Sequence, residues 1–188
     1  MSTRSTAARA FFKGGANIGS SMDVSIKTRA FLDKKRTRAF KEEMTKKFGE
    51  NVAGYFTENI EEGTLDNGGA VILIKKVPRF FKERGQDAEW IPFVDVAREI
   101  KMKRVVIDQP AVPYISSGAD VMRPGIVQVD DDIKKDDLVA IVDEKNQVPI
   151  AIGKAMFSAA DIVSMDKGKV IKTVHHAGDK YWSLKQKA

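Results

Sequence analysis

Between residues 32 and 48 the large apolar residues Leu32, Phe40, Met44 and Phe48 recur at multiples of four, with Ala39 on the same side. That period is helical and puts them on one face, so the spacing predicts an amphipathic helix. Asp33 near its start can accept a backbone N–H as N-cap, and Gly49 stands where a helix commonly closes in the left-handed region. Leu65-Asp66-Asn67-Gly68-Gly69 is a turn signal, and the β-branched run 70–77 after it reads as a strand. Pro92 precedes a short apolar-rich helix over 93–100 that leads into the second half of the chain.

From Lys101 the pattern changes to short apolar runs divided by turns, at 104–107, 126–129, 138–142, 148–155, 170–175 and 181–184. Six strands in so short a stretch point to a closed or nearly closed barrel. Helical interruptions fall at 109–117 and 158–165. The second opens on Ser158 with Asp161 three positions on, a near-match to the capping box. The fold class expected is α+β: a small mixed N-terminal domain over 23–98, then a pseudo-barrel of about six short strands and two short helices over 99–188.

Charge changes the picture in the first half. The chain has 188 residues and a net charge of +6; residues 1–98 carry a net +5, from 18 Lys/Arg and 13 Asp/Glu. Between residues 27 and 47 there are nine basic residues against Asp33, Glu42 and Glu43. On the helix, Lys34, Lys35, Arg38 and Lys41 turn away from the apolar stripe and are free to meet a polyanion or simply to be solvated. Residues 1–22 contain Arg4, Arg9 and Lys13 but no acid, and read as a flexible basic tail, with a targeting segment as the alternative. In the interleaved run Lys75, Lys76, Arg79, Phe80, Phe81, Lys82 and Arg84, the aromatics could stack on bases but are more often core residues.

Catalytic chemistry is hard to find. With no cysteine in the chain, thiolate nucleophiles and sulfur-based zinc sites are excluded, and two histidines make a His-rich metal site implausible. His175 and His176 are adjacent, so on a strand they point to opposite faces and cannot act on one atom. Asp130-Asp131-Asp132 lacks the rest of a calcium loop and reads as a solvated turn. Gly14-Gly15-Ala16-Asn17-Ile18-Gly19 lacks the Lys-Ser/Thr of a phosphate loop. No apolar run is long enough to span a membrane. No cofactor, metal or enzyme activity is expected.

The segment Ser116-Ser117-Gly118-Ala119-Asp120-Val121-Met122-Arg123-Pro124-Gly125-Ile126 joins the first barrel helix to the second strand. Gly118 should end the helix at positive φ, Pro124-Gly125 should turn tightly, and the small residues permit close approach by another backbone. This segment resembles the signature of the PUA domain, named for pseudouridine synthases and archaeosine transglycosylases, at Gly118, Ala119, Val121, Met122, Pro124 and Gly125. Further blocks match in order: Ile150-Ala151-Ile152-Gly153-Lys154-Ala155 with Ser158-Ala159-Ala160-Asp161-Ile162, then Lys167-Gly168-Lys169 into Val170, then Tyr181-Trp182-Ser183-Leu184. A PUA domain behind a domain of about seventy-five residues is similar to the malignant-T-cell-amplified-sequence family and its archaeal relatives, which are associated with the ribosome. The resemblance implies RNA binding at the helix-to-strand loop, by Ser117, Gly118, Ala119 and Arg123 with Lys154 as a neighbouring cation. It also implies a non-catalytic cytoplasmic factor acting on tRNA or rRNA, with the small ribosomal subunit or a translation factor as partner. A protein-interaction adaptor or an accessory subunit of an RNA-modifying enzyme is the alternative. Met122 and Trp182 are expected in the core.

Overall fold

The computed structural model describes residues 23–56, 60–85 and 88–186; the basic tail and the glycine-rich run inside it lie outside the described residues. Two sheets organise the chain. The first holds five antiparallel strands in sequence order: β1 (Ile26–Phe31), β2 (Ile60–Leu65), β3 (Ala70–Ile74), β4 (Val77–Lys82) and β5 (Ile91–Pro92). Helix α1 (Lys34–Phe48) crosses over between β1 and β2. As the sequence predicts, Asp33 caps α1, accepting the Arg36 N–H at 2.7 Å, and Gly49 closes it at φ 82°. Phe40 and Met44 are buried, whereas Ala39 faces solvent. The Phe40 ring meets Phe56, Phe80 and Trp90 edge-on at 5.3, 5.8 and 5.5 Å, so one aromatic side chain ties the helix to the sheet.

The strand predicted across 70–77 stops at Ile74. Lys75 and Lys76 both take positive φ, 52° and 66°, and make the two-residue turn of a hairpin, from which β4 runs back. Phe80 and Phe81 on β4 are fully buried, so the basic-aromatic run serves the core and not a base-stacking surface. Strands β1 and β2 escaped the sequence reading. β1 is an edge strand exposed on nearly every residue, and β2 buries Glu61 against Arg29 at 3.4 Å, so neither shows apolar alternation.

Helix α2 (Val94–Glu99) links the halves and packs on strands of the second sheet. That sheet runs in the order β7-β11-β10-β9-β6-β8. Its strands are β6 (Arg104–Ile107), β7 (Val121–Met122), β8 (Ile126–Val129), β9 (Leu138–Asp143), β10 (Pro149–Ala155) and β11 (Lys169–His176). Helices α3 (Val112–Ser116) and α4 (Ala159–Ser164) fall at the predicted interruptions, and Ser158 caps α4 by accepting the Asp161 N–H. Along β9 the side chains alternate between two cores. Val139 and Ile141 join Val105, Ile107, Ile162 and Ile171 inside the barrel; Leu138, Ala140 and Val142 face Phe81, Phe93 and Val96 of the first half. A strand buried on both faces reads as an unbroken apolar run, which is the pattern of 138–142.

The strand expected at 181–184 is a turn followed by helix α5 (Ser183–Gln186). Asp179 decides this: its carboxylate accepts the N–H groups of Tyr181 and Trp182, both at 2.9 Å, and so turns the chain. The turn carries Tyr181 onto Phe81, stacked at 4.0 Å, with its hydroxyl between Asn67 and Glu83 at 3.2 Å from each. Burial, and then the Glu83 carboxylate, push the Tyr181 hydroxyl up to about 12. Ser183 donates to the Val24 carbonyl and Lys185 pairs with Asp95, so the C-terminal residues close over the N-terminal sheet.

Candidate nucleic-acid interface

Helix α3 ends as its glycine predicts. The N–H groups of Gly118 and Ala119 fold back to the carbonyls of Ile115 and Tyr114, both at 3.0 Å, with Gly118 at φ 93°. A Cβ on Gly118 would stand 2.8 Å from Nε2 of His176, so the chain must be bare here to lie on β11. The loop is then stitched to that strand. Thr173 donates its hydroxyl to the Ala119 carbonyl at 2.7 Å and its N–H to Asp120 at 2.8 Å, and Lys169 pairs with Asp120 at 2.9 Å. Burial opposes ionisation of Asp120, but Lys169 and the Thr173 N–H outweigh it and hold the carboxyl below its usual range. Ser117 and Ala119 remain exposed on this loop, with the exposed Lys172 one residue from Thr173.

The predicted residues do not form one cluster. Ser117, Gly118 and Ala119 are together. Arg123 lies past the two-residue β7, and its guanidinium is occupied by backbone acceptors: Nε donates to the Ile162 carbonyl at 2.7 Å, and its two terminal nitrogens reach the carbonyls of Ile126 and Val163. Arg123 is thus a strut that caps the C-terminal end of α4 and ties it to β8. Lys154 is on β10 and faces the N-terminal half, where it pairs with Glu89 at 3.0 Å; Lys172, opposite it on β11, stands between it and the loop. In the basic patch, Lys34, Lys35 and Arg38 are exposed, Lys41 is half-buried, and Arg38 pairs with Glu42 one turn on. The helix cation that reaches the barrel side is Lys47, bonded to Glu89 at 2.5 Å.

Sequence reasoning missed Lys169, Lys172 and Thr173, which the pairing of β11 with the loop brings into play. Alternation along 169–174 was the available signal, but a bulge between Lys169 and Ile171 breaks it. Met122, expected in the core, is half exposed, because β7 is an edge strand. Trp182 packs against the core as expected.

His175 is fully buried, bonds Asp179 through Nδ1 at 2.7 Å and keeps Nε2 unpartnered among Phe81 and Phe93. Burial disfavours a charged Asp179, but the His175 and backbone hydrogen bonds prevail and hold its carboxyl low. Among the described residues no three His, Asp or Glu are grouped to hold a metal. The acidic run is engaged instead with Lys103 and Arg104.

Comparison with known proteins agrees with this geometry. The PUA domain model matches residues 103–177, the span of the barrel. An uncharacterized protein of Methanocaldococcus jannaschii is 37% identical over 166 residues, covering 86% of this chain and 99% of that one. This chain belongs to the PUA-domain proteins. A hypothetical protein from Pyrococcus horikoshii, solved by crystallography, superposes with a TM-score of 0.72 at 34% identity, over 84% of this chain and 99% of that one. The similarity to the malignant-T-cell-amplified-sequence family is also borne out. Translation machinery-associated protein 20 of Schizosaccharomyces pombe is 37% identical over 83 residues, 42% of this chain and 46% of its own length. The malignant T-cell-amplified sequence 1 homolog of Drosophila melanogaster is 31% identical over 113 residues, 56% and 60%. A PUA domain implies RNA binding, and the PUA barrel here carries its signature glycine against β11.

Proposed function

We propose that this PUA-domain protein is a non-catalytic, cytoplasmic RNA-binding factor that acts on tRNA or rRNA in association with the translation machinery. The observation that carries the reading is the approach of Gly118 to His176. Together with the hydrogen bonds from Thr173 and the Lys169–Asp120 ion pair, it seats the loop from Ser117 to Asp120 on β11, beside the exposed Lys172. A loop of small residues lets a nucleic-acid backbone approach closely, and the exposed Lys172 beside it supplies a phosphate contact. Arg123 contributes by fixing α4 against the turn below the loop. The kinship with proteins named for the translation machinery supports the cellular setting. Among the described residues no helix is long and apolar enough to cross a membrane.

The test is a fluorescence anisotropy titration against total tRNA and small-subunit rRNA fragments at two salt concentrations, with Ala119→Glu beside the wild type. Ala119 is exposed, so the substitution adds an anion without disturbing the core. With about four phosphates engaged, the log-log salt slope should lie near −3 for a single strand, and Ala119→Glu should weaken binding about tenfold. Salt-independent binding, or no binding to either pool, would overturn the reading.

A second reading, a docking platform for a protein of the translation apparatus, is favoured by the exposed apolar residues Tyr114, Met122 and Val163 around the same loop. It predicts that a partner is retained after RNA is digested.

A further inference from the structure

Outside the loop, lysines from both halves of the molecule converge on one carboxylate. Lys47, on the last turn of α1, bonds Oε2 of Glu89, and Lys154, on β10 of the barrel, bonds Oε1. Lys47 also donates to the Trp90 carbonyl at 3.2 Å, and Lys82 of β4 stands 4.9 Å over the Trp90 ring. Two ammonium groups thus hold one carboxylate, with Lys82 over the adjacent Trp90 and Lys46 exposed on α1. The side chains of Lys47, Glu89 and Lys154 are each between a fifth and two-fifths exposed, so the cluster is open to a ligand.

This arrangement is more than a tie between domains. A carboxylate with an ammonium on each oxygen is chemically close to a phosphodiester with its two unbridged oxygens held in the same way. The positive charge left by two ammonium groups on one carboxylate favours a polyanion over a neutral partner. The site also lies in line with the loop. Lys154 is the direct cross-strand partner of Lys172 on β11, and the Ser117–Asp120 loop rests on the far edge of β11. With neighbouring strands about 5 Å apart, Lys154 is on the order of 10 Å from the loop.

We propose that the junction of the two domains, formed by Lys47 and Lys154 on Glu89 with Lys82 at the adjacent Trp90, is a second anchorage for the RNA backbone. Glu89 holds the place of a phosphate in the free protein. The proposal rests on the RNA-binding reading of the loop and adds to it a use for the N-terminal domain: the RNA runs from the loop across β11 and β10 to the end of α1. Glu89 lowers affinity by competing for the two ammonium groups, and it keeps them pointed outward and ready.

The test uses the full chain and a fluorescein-labelled RNA hairpin with about 16 base pairs of duplex. Glu89→Gln keeps the size and removes the charge; it should tighten binding roughly threefold to tenfold and steepen the salt slope by about one unit. Lys47→Gln should weaken binding and make the slope shallower by about one unit. Acetylation footprinting of the wild type needs no variant: Lys47, Lys82 and Lys154 should be shielded by the hairpin, while Lys34 and Lys35 stay reactive. Should Ala119→Glu weaken binding while Glu89→Gln leaves affinity and slope at wild-type values and the three lysines are unshielded, the junction proposal is overturned and the loop reading stands. A wild type that does not bind the hairpin overturns both.

Discussion

Gly118 shows how one residue can be both structural and functional. At its φ of 93° a side chain is strained, and a Cβ there would stand 2.8 Å from the tip of the His176 ring, so one of the two must shift. Gly118→Ala should therefore cost about 1–3 kcal/mol of local strain and loosen the loop, read as faster amide exchange at Ala119 and Thr173; unchanged exchange would mean that the close approach does not hold the loop. Arg123 makes the opposite point. From the sequence its charge at a variable motif position suggests phosphate, but its nitrogens serve the backbone carbonyls of Ile126, Ile162 and Val163. Arg123→Met should lower stability by about 1.5–3 kcal/mol in urea denaturation while leaving the salt slope of RNA binding intact; a slope shallower by one unit would restore Arg123 to the phosphate contacts. Which acceptors a guanidinium finds depends on residues about forty positions away, which the sequence leaves unplaced.

Elements were legible where local rules and burial agree. Helix α1 was readable because its cap, its period and its closing glycine all point one way. Removing the cap with Asp33→Ala should cost about 1 kcal/mol, visible as a lower thermal midpoint. The barrel strands were readable because an apolar run between turns has few other uses. Two kinds of element were hidden. The edge strand β1 buries little and so lacks alternation, and β7 is only two residues long, with Val121 buried and Met122 exposed, too short for a pattern to show. The end of the chain looks like a strand by composition, but the Asp179 carboxylate turns it into a helix. Because Asp179 has a lower pKa folded than unfolded, its contribution is complete above the unfolded value of about 3.9 and is lost as pH falls through the folded value. A series of urea midpoints against pH should show an acid decline that is flatter in Asp179→Asn than in the wild type.

At the scale of the whole molecule, one core runs through both halves. Leu138, Ala140, Val142 and Ile152 of the barrel sheet, with Tyr181 and Leu184, pack in the same cluster as Phe81, Phe93 and Val96. Unfolding one half would bare that face of the other, so calorimetry should show a single transition with equal calorimetric and van't Hoff enthalpies; two resolved transitions would refute the shared core. The same docking sets Lys47 and Lys154 on one carboxylate. By itself the sequence determined helices α1 to α4 and five of the six barrel strands, the lack of cysteine chemistry, the turn at Gly118 and the family to which the chain belongs, because these follow from local periodicity, backbone permissiveness and ordered motifs. Only the tertiary structure decided that Arg123 is a strut, that Lys172 and Lys169 flank the loop, and that a carboxylate is shared between lysines of two domains. Those facts depend on strand register and domain docking, which are set by packing between residues far apart in the chain.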